Sequence, residues 1–242
     1  MKPQENDTTA IAVEVRERLL SLASETQAEI SARFFKTAPG EYGEGDCFIG
    51  VKMPQLHALA REYARLMKPT DVLPLLTDTI HECRMLALLV WTRLFPKSPE
   101  TTRSQIYSLY LSHTVYINNW DLVDLSAYKI VGEYLLQRDR SELLRLAESA
   151  SLWEQRIAIV STFAFIRRND FTDTLRIADM LLRYKHDLIH KAVGWMLREV
   201  GKRDKAVLTT FLETRHSNMP RTMLRYAIER LSPAERAYFM RK

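Results

Sequence analysis

Residues 188–200 read LIHKAVGWMLREV. The apolar side chains Leu188, Ala192, Met196 and Val200 recur every four residues, with Ile189, Val193 and Leu197 beside them. That spacing returns to one face of an α-helix and does not alternate between the two sides of a strand. Residues 152–166, LWEQRIAIVSTFAFI, repeat the pattern upstream. It is also present in 11–22, 55–67, 84–95, 122–136, 175–182, 206–212 and 222–231. Strand-like alternation is hard to find, and only 7 glycines punctuate the 242 residues. The sequence predicts an all-α protein at close to full length.

Breaks fall between these segments. Pro39-Gly40, with Gly43 and Gly45, marks a loop, and Pro54 suits a first helical turn, where its missing N–H needs no partner. Pro69, Pro74, Pro96 and Pro99 divide the first half into short helices; Asn169-Asp170, Ser217-Asn218 and Pro220 act similarly later. Long helices expected to start near residues 119, 152 and 188 each precede a shorter one. Their separation is near the period of helical arrays such as HEAT or armadillo units. An irregular bundle is the alternative, but the recurring long-short alternation favours a superhelical solenoid of HEAT/armadillo-like antiparallel helix pairs. It is expected to form a single domain over 1–242, with 1–8 as a flexible tail.

An apolar fraction of 46% is enough for a real core. No run approaches the roughly 18 apolar residues of a membrane span. The polar start MKPQENDTTA does not resemble a signal peptide. Cys47 and Cys83 lie far apart without a CxxC partner, which suits a reduced, cytoplasmic protein, expected to be a monomer. Charge is uneven. Residues 151–242 hold 18 Lys/Arg and 10 Asp/Glu, a net +8, which leaves −3 for residues 1–150 within the total of +5. A basic half fits a polyanion such as nucleic acid; solvated helix faces would look the same by charge alone.

The repeat spacing also gathers one set of side chains. In a solenoid, equivalent positions of successive repeats line one face. Trp120, Arg156 and Trp195 are 36 and 39 residues apart, each in the long helix of its repeat. Asp124 follows Trp120 by one turn in NNWDLVDLS, on the same helical face. Indoles pack on sugars, bases and cations, a guanidinium grips phosphate, and a carboxylate stabilises positive charge or orients water. Together they describe a site on DNA whose reacting centre becomes cationic. Taken singly, a Trp in an all-α protein is usually core, and Arg156 could pair with a nearby acid. Asp121, in the first turn, is expected to support the helix start.

INNWDLVDLSA, LWEQRIAIVSTFAFI, IHKAVGWMLREVGK and GVKMPQLHALARE resemble the AlkD-like family of DNA alkylation-repair glycosylases, over about residues 28–231. The resemblance implies a superhelix of HEAT-like repeats with a basic concave surface for duplex DNA. It also implies removal of positively charged alkylpurines such as 3-methyladenine and 7-methylguanine, without a pocket for a flipped base. By the same resemblance, Asp124 is the catalytic aspartate, Trp120 and Trp195 are the indoles beside the lesion's sugar, and Arg156 holds phosphate. Tyr128 stands where many relatives have proline, which bears on local helix geometry.

Lys191 and Arg198 flank Trp195 by one turn, and with Arg167, Arg168, Lys202 and Arg203 they are candidate phosphate contacts. His186 and His190 have metal-ligand spacing but no third ligand to match, so neither metal nor organic cofactor is expected. The other histidines are scattered, and no phosphate loop or GxSxG motif is present. Two other functions share the scaffold: a non-catalytic binder of DNA structures and a protein-interaction platform.

Overall fold

The structure, a computed structural model, describes the backbone of residues 5–241 and the side chains of residues 10–241. Residues 1–4 of the expected tail lie outside the described residues; Glu5 to Thr8 run in the first helix. The chain divides into two compact units, residues 1–126 and 127–242.

The first unit contains α1 (Glu5–Leu20), α2 (Glu25–Phe34), α3 (Met53–Tyr63), α4 (Leu73–Leu76), α5 (His81–Leu94), α6 (Glu100–Ser112) and α7 (Trp120–Ala127). Helix α5 is its axis, buried at every position from His81 to Trp91. A helix apolar on all sides must be enclosed, and α3 and α4 pack directly against it, with α1 against both. The Trp91 indole N–H finds an acceptor in the Pro69 carbonyl at 3.0 Å, which completes an otherwise apolar burial. The apolar pattern begins at residue 84, yet α5 begins at His81. Its first turn is charged and buried together, through partners distant in sequence.

The second unit opens with a π-helical turn, Tyr128–Gly132. It continues with α8 (Glu133–Leu135), α9 (Ser141–Glu148), α10 (Leu152–Ser161), α11 (Phe163–Ile166), α12 (Thr172–Leu181), α13 (Asp187–Arg203), α14 (Lys205–Glu213), α15 (Arg221–Ala227) and α16 (Pro233–Phe239). Helices α10, α13 and α15 start 35 and 34 residues apart, at Leu152, Asp187 and Arg221. Helix α10 packs on α9 and α13, and α13 on α12, α14 and α15. This layered pairing of helices in register is the solenoid arrangement the repeat spacing predicts. Ser151 and Asp204 cap α10 and α14 by accepting the N–H of Glu154 and Val207.

Two expected helices are interrupted. The segment 122–136 is α7, then the π turn, then α8; the irregular geometry begins at Tyr128. The turn lies so close to its neighbours that a Cβ at Gly132 would meet the Ser161 carbonyl at 2.2 Å. The segment 152–166 divides at Thr162, whose hydroxyl donates to the Ile159 carbonyl at 2.6 Å and so competes with helix hydrogen bonding. Helices α2, α4, α6, α9 and α16 have no counterpart among the expected segments. Helix α2 buries no residue and α16 only Phe239, so they lack the stripe that betrays a helix.

Gly194 sets the closest approach of α13 to α15. A Cβ there would lie 2.4 Å from the Met223 carbonyl oxygen and 2.5 Å from Tyr226 Cβ. Gly194→Ala gains helix propensity, worth about 1 kcal/mol. Separation of the two helices outweighs it, and we expect a net loss of about 1–3 kcal/mol in urea unfolding. Unchanged or raised stability would refute this account of the helix pair.

Candidate functional site

In the first unit, α7 begins where several side chains converge. Asn119 is buried, and its Oδ1 accepts the Trp120 N–H at 2.8 Å while its Nδ2 donates to Asp46 Oδ2 at 2.9 Å. The half-buried Trp120 ring stacks on Phe35 with centroids 5.4 Å apart, and meets the exposed Phe34 edge-on at 5.9 Å. Phe35 stacks in turn on Phe48, and Phe48 on the His81 ring at 4.4 Å. The indole is thus one end of an aromatic shelf whose other end is an imidazole.

His81 is buried between two carboxylates. Its Nδ1 lies 3.1 Å from Asp46 Oδ2 and its Nε2 2.9 Å from Asp121 Oδ2. Two acceptors facing both ring nitrogens require both to carry protons, so this is an imidazolium. Burial alone would lower its pKa; the hydrogen bonds to Asp121 and Asp46 and their charges prevail, and raise it to about 9. Burial opposes ionisation of Asp46 too, but His81, Arg84 and Asn119 hold its carboxyl below the usual range. Arg84 reaches Asp46 Oδ1 directly. The adjacent Glu82 accepts the backbone N–H groups of Ile49, Gly50 and Val51 at 3.1, 2.8 and 3.3 Å. The first turn of α5 therefore clasps the segment 46–51, which carries Phe48.

Asp121 and Asp124 have different surroundings. Asp121 gives one oxygen to His81 and the other to the Leu122 N–H at 2.8 Å. Asp124, one turn on, is half-buried. Its charge reaches Tyr110 of α6, a wholly buried phenol raised first by burial and also by that carboxylate. The Tyr110 hydroxyl and Ser126 Oγ are 2.9 Å apart, and Ser126 donates to the Leu122 carbonyl at 2.6 Å, which fixes α7 on α6.

In the second unit, Arg156 is buried in α10, with Nη1 donating to the Leu188 carbonyl in the first turn of α13. Trp195 is half-buried in the middle of α13. Its ring is 6.1 Å from Phe163, which meets Tyr128 edge-on at 5.2 Å. Most of the candidate phosphate contacts hold an acid: Lys191 with Asp187 at 2.8 Å, Arg168 with Glu133 at 2.9 Å, Lys202 with Glu199 at 2.6 Å, and Arg198 with Glu229. Arg167 and Arg203 are exposed, and no acid is paired with either among the described residues. The histidine pair is engaged locally. His186 Nδ1 accepts the Leu188 N–H at 3.2 Å as the cap of α13, and His190 Nε2 approaches the Tyr184 carbonyl.

His81, Asp46, Glu82 and Arg84 escape a reading of the sequence. Their one signal is a polar HECR at the head of a strongly apolar helix. No helix among the described residues is long and apolar enough to cross a membrane.

The fold is shared with a solved structure described as a "Predicted DNA alkylation repair enzyme from Enterococcus faecalis". The two align with a TM-score of 0.68 over 87% of this chain and 97% of that one, at 15% identity. No curated protein sequence matches the chain. The profile of the DNA alkylation repair enzyme family matches residues 15–231, and the chain belongs to that family. Its role accordingly lies in the repair of alkylated DNA.

The buried imidazolium gives stability a pH signature. His81 has a raised pKa, so its contribution is complete below about pH 6.5 and is lost as pH climbs through about 9. We expect wild-type protein to lose on the order of 3 kcal/mol across that window. The His81→Gln variant, less stable at neutral pH, should lack this alkaline loss. Urea unfolding at several pH values checks it; parallel curves for the two proteins would exclude the assignment.

Proposed function

We propose that this chain is a monofunctional DNA glycosylase. It hydrolyses the N-glycosidic bond of positively charged alkylpurines in duplex DNA and leaves an abasic site. The carrying observation is Asp124, half-buried one turn after a braced Trp120, in a member of a family of alkylation repair enzymes. Asp121, bound by His81, is assigned to securing the helix, and Asp124 to the chemistry.

Alkylation at N3 or N7 makes the purine a cation and a good leaving group. The bond breaks through an oxocarbenium-like sugar. A carboxylate placed beforehand stabilises that charge and orients the attacking water. One side of Asp124 adjoins the interior around Tyr110, where its field is screened less than in water. Trp120 offers an indole to the electron-poor sugar. Trp195, Arg156, Lys191, Arg198, Arg167, Arg168, Lys202 and Arg203 are assigned to the DNA. Ion pairs at exposed lysines and arginines are worth at most about 1 kcal/mol, so phosphate can displace their acids. A neutral base would need a proton donor on the base side, and no residue is assigned that role. Selectivity for cationic lesions follows, and no lysine is assigned to Schiff-base formation or strand cleavage.

The test is release of 3-methyl- or 7-methylpurine from methylated duplex DNA by purified protein. Wild type should release base well above the spontaneous rate. Asp124→Asn should lose about 10²-fold or more in single-turnover rate while duplex affinity is retained. Release no faster than spontaneous loss, with DNA binding intact, would instead identify a non-catalytic binder.

A further inference from the structure

The first unit, the acidic half of the chain, contains a cleft that is entirely cationic in its charged lining. It has a volume of about 620 Å³ and lies at the C-terminal ends of α3 and α5. Arg61 and Arg65 enter it from one side, Arg93 and Lys97 from the other. Among the described residues, no acid lines it and none is ion-paired with these four side chains. The nearby Glu62 is engaged by Arg18, and Glu100 by Arg103 at 2.8 Å. Arg93 is held in place by the His57 carbonyl, 3.2 Å from Nη2.

Helix dipoles explain part of this. A cation in a last helical turn faces carbonyl oxygens, which favours its charge there. Dipoles do not explain why two helices and the turn after α5 bring four cations to one cleft. The cost is visible at Arg93, whose pKa is lowered first by burial and then by the charge of Arg61. An anion seated between them would offset both effects by attraction.

We propose that this cleft binds a phosphate-class oxyanion and that, in a protein acting on DNA, the occupant is a backbone phosphodiester. The source follows from what the lining lacks. No aromatic ring or carboxylate is present to hold a base or sugar, so the cleft recognises charged oxygen alone. Guanidinium forks suit that geometry. The second half of this proposal rests on the DNA-directed function above; the first does not.

Arg61, Arg65 and Lys97 are exposed, so the Arg61→Gln/Arg65→Gln/Lys97→Gln triple variant leaves the core and Arg93 intact. Undamaged duplex binding is measured by anisotropy across a salt series, with a control triple, Lys36→Gln/Lys52→Gln/Lys68→Gln, of equal charge change outside the cleft. The cleft variant should bind several-fold more weakly at low salt. Its slope of log affinity against log salt should be shallower by about 1 for each phosphate that the cleft no longer neutralises. The control should shift less. A parallel titration with inorganic phosphate follows the Arg93 guanidinium by NMR. Phosphate response in wild type, abolished in the variant, with an unchanged duplex slope would keep the oxyanion site but overturn its assignment to DNA. Absence of the phosphate response would overturn the site itself, and equal slopes in both triples would overturn its assignment to DNA. Base release by wild type is scored separately, so a shifted slope without base release would defeat the glycosylase reading and leave the cleft standing.

Discussion

An imidazolium held between two carboxylates organises the first unit. Removing His81 from water is expensive, as is removing Asp46; His81 is compensated by Asp46 and Asp121, and Asp46 by His81, Arg84 and Asn119. Such a pair adds little net stability over a well-packed apolar substitute, but breaking it strands a buried charge. Its value lies in what it aligns. Asp46 belongs to the loop before α3, His81 starts α5, and Asp121 lies in the first turn of α7. Three segments distant in sequence must be in register before any of these charges is satisfied. Phe48 and Phe35 then stack between the imidazole and the indole of Trp120. The position of a surface aromatic thus depends on charges buried beneath it.

The helices were legible because they need only local spacing. Leu188 to Val200 declares itself within thirteen residues, and helices begin at Trp120, Leu152 and Asp187, close to the expected starts near 119, 152 and 188. Where the signal was missing, the cause is physical. Helix α2 has no buried residue, and α5 begins three residues before its apolar pattern. Tyr128 was the one visible warning of irregularity in the long segment 122–136, and the π turn begins there. For the candidate site, the pattern pointed to Trp120 and Asp124 and to Asp121 as support for the helix start, but passed over the buried groups beneath them. His81 has partners 35 and 40 residues away, a separation no local periodicity can reveal.

Net charge by halves was a coarse guide to surface chemistry. The second unit carries the basic excess, yet Lys191, Arg168, Lys202 and Arg198 each hold an acid. The first unit has the acidic excess, yet four of its cations face one cleft without an acid in the lining. What a polyanion meets is the unpaired charge at a location, and pairing redistributes it.

The proposed division of labour between Asp121 and Asp124 rests on their different surroundings. Both stand on one eight-residue helix, three positions apart, and composition does not separate them. Asp121 faces the imidazolium and the helix's own N–H, so its charge is neutralised where it sits. Asp124 stands one turn later, past the reach of the helix N-terminal dipole, near a phenol that its field disfavours ionising. A carboxylate kept near a low-dielectric wall, with a braced indole one turn away, suits a positive charge that exists only briefly. Attraction felt equally by the intact nucleoside and by the oxocarbenium-like sugar accelerates nothing. In the proposed reaction the charge already on the purine passes to the sugar as the bond breaks, and only the attraction that a carboxylate beside the sugar gains in that transfer lowers the barrier.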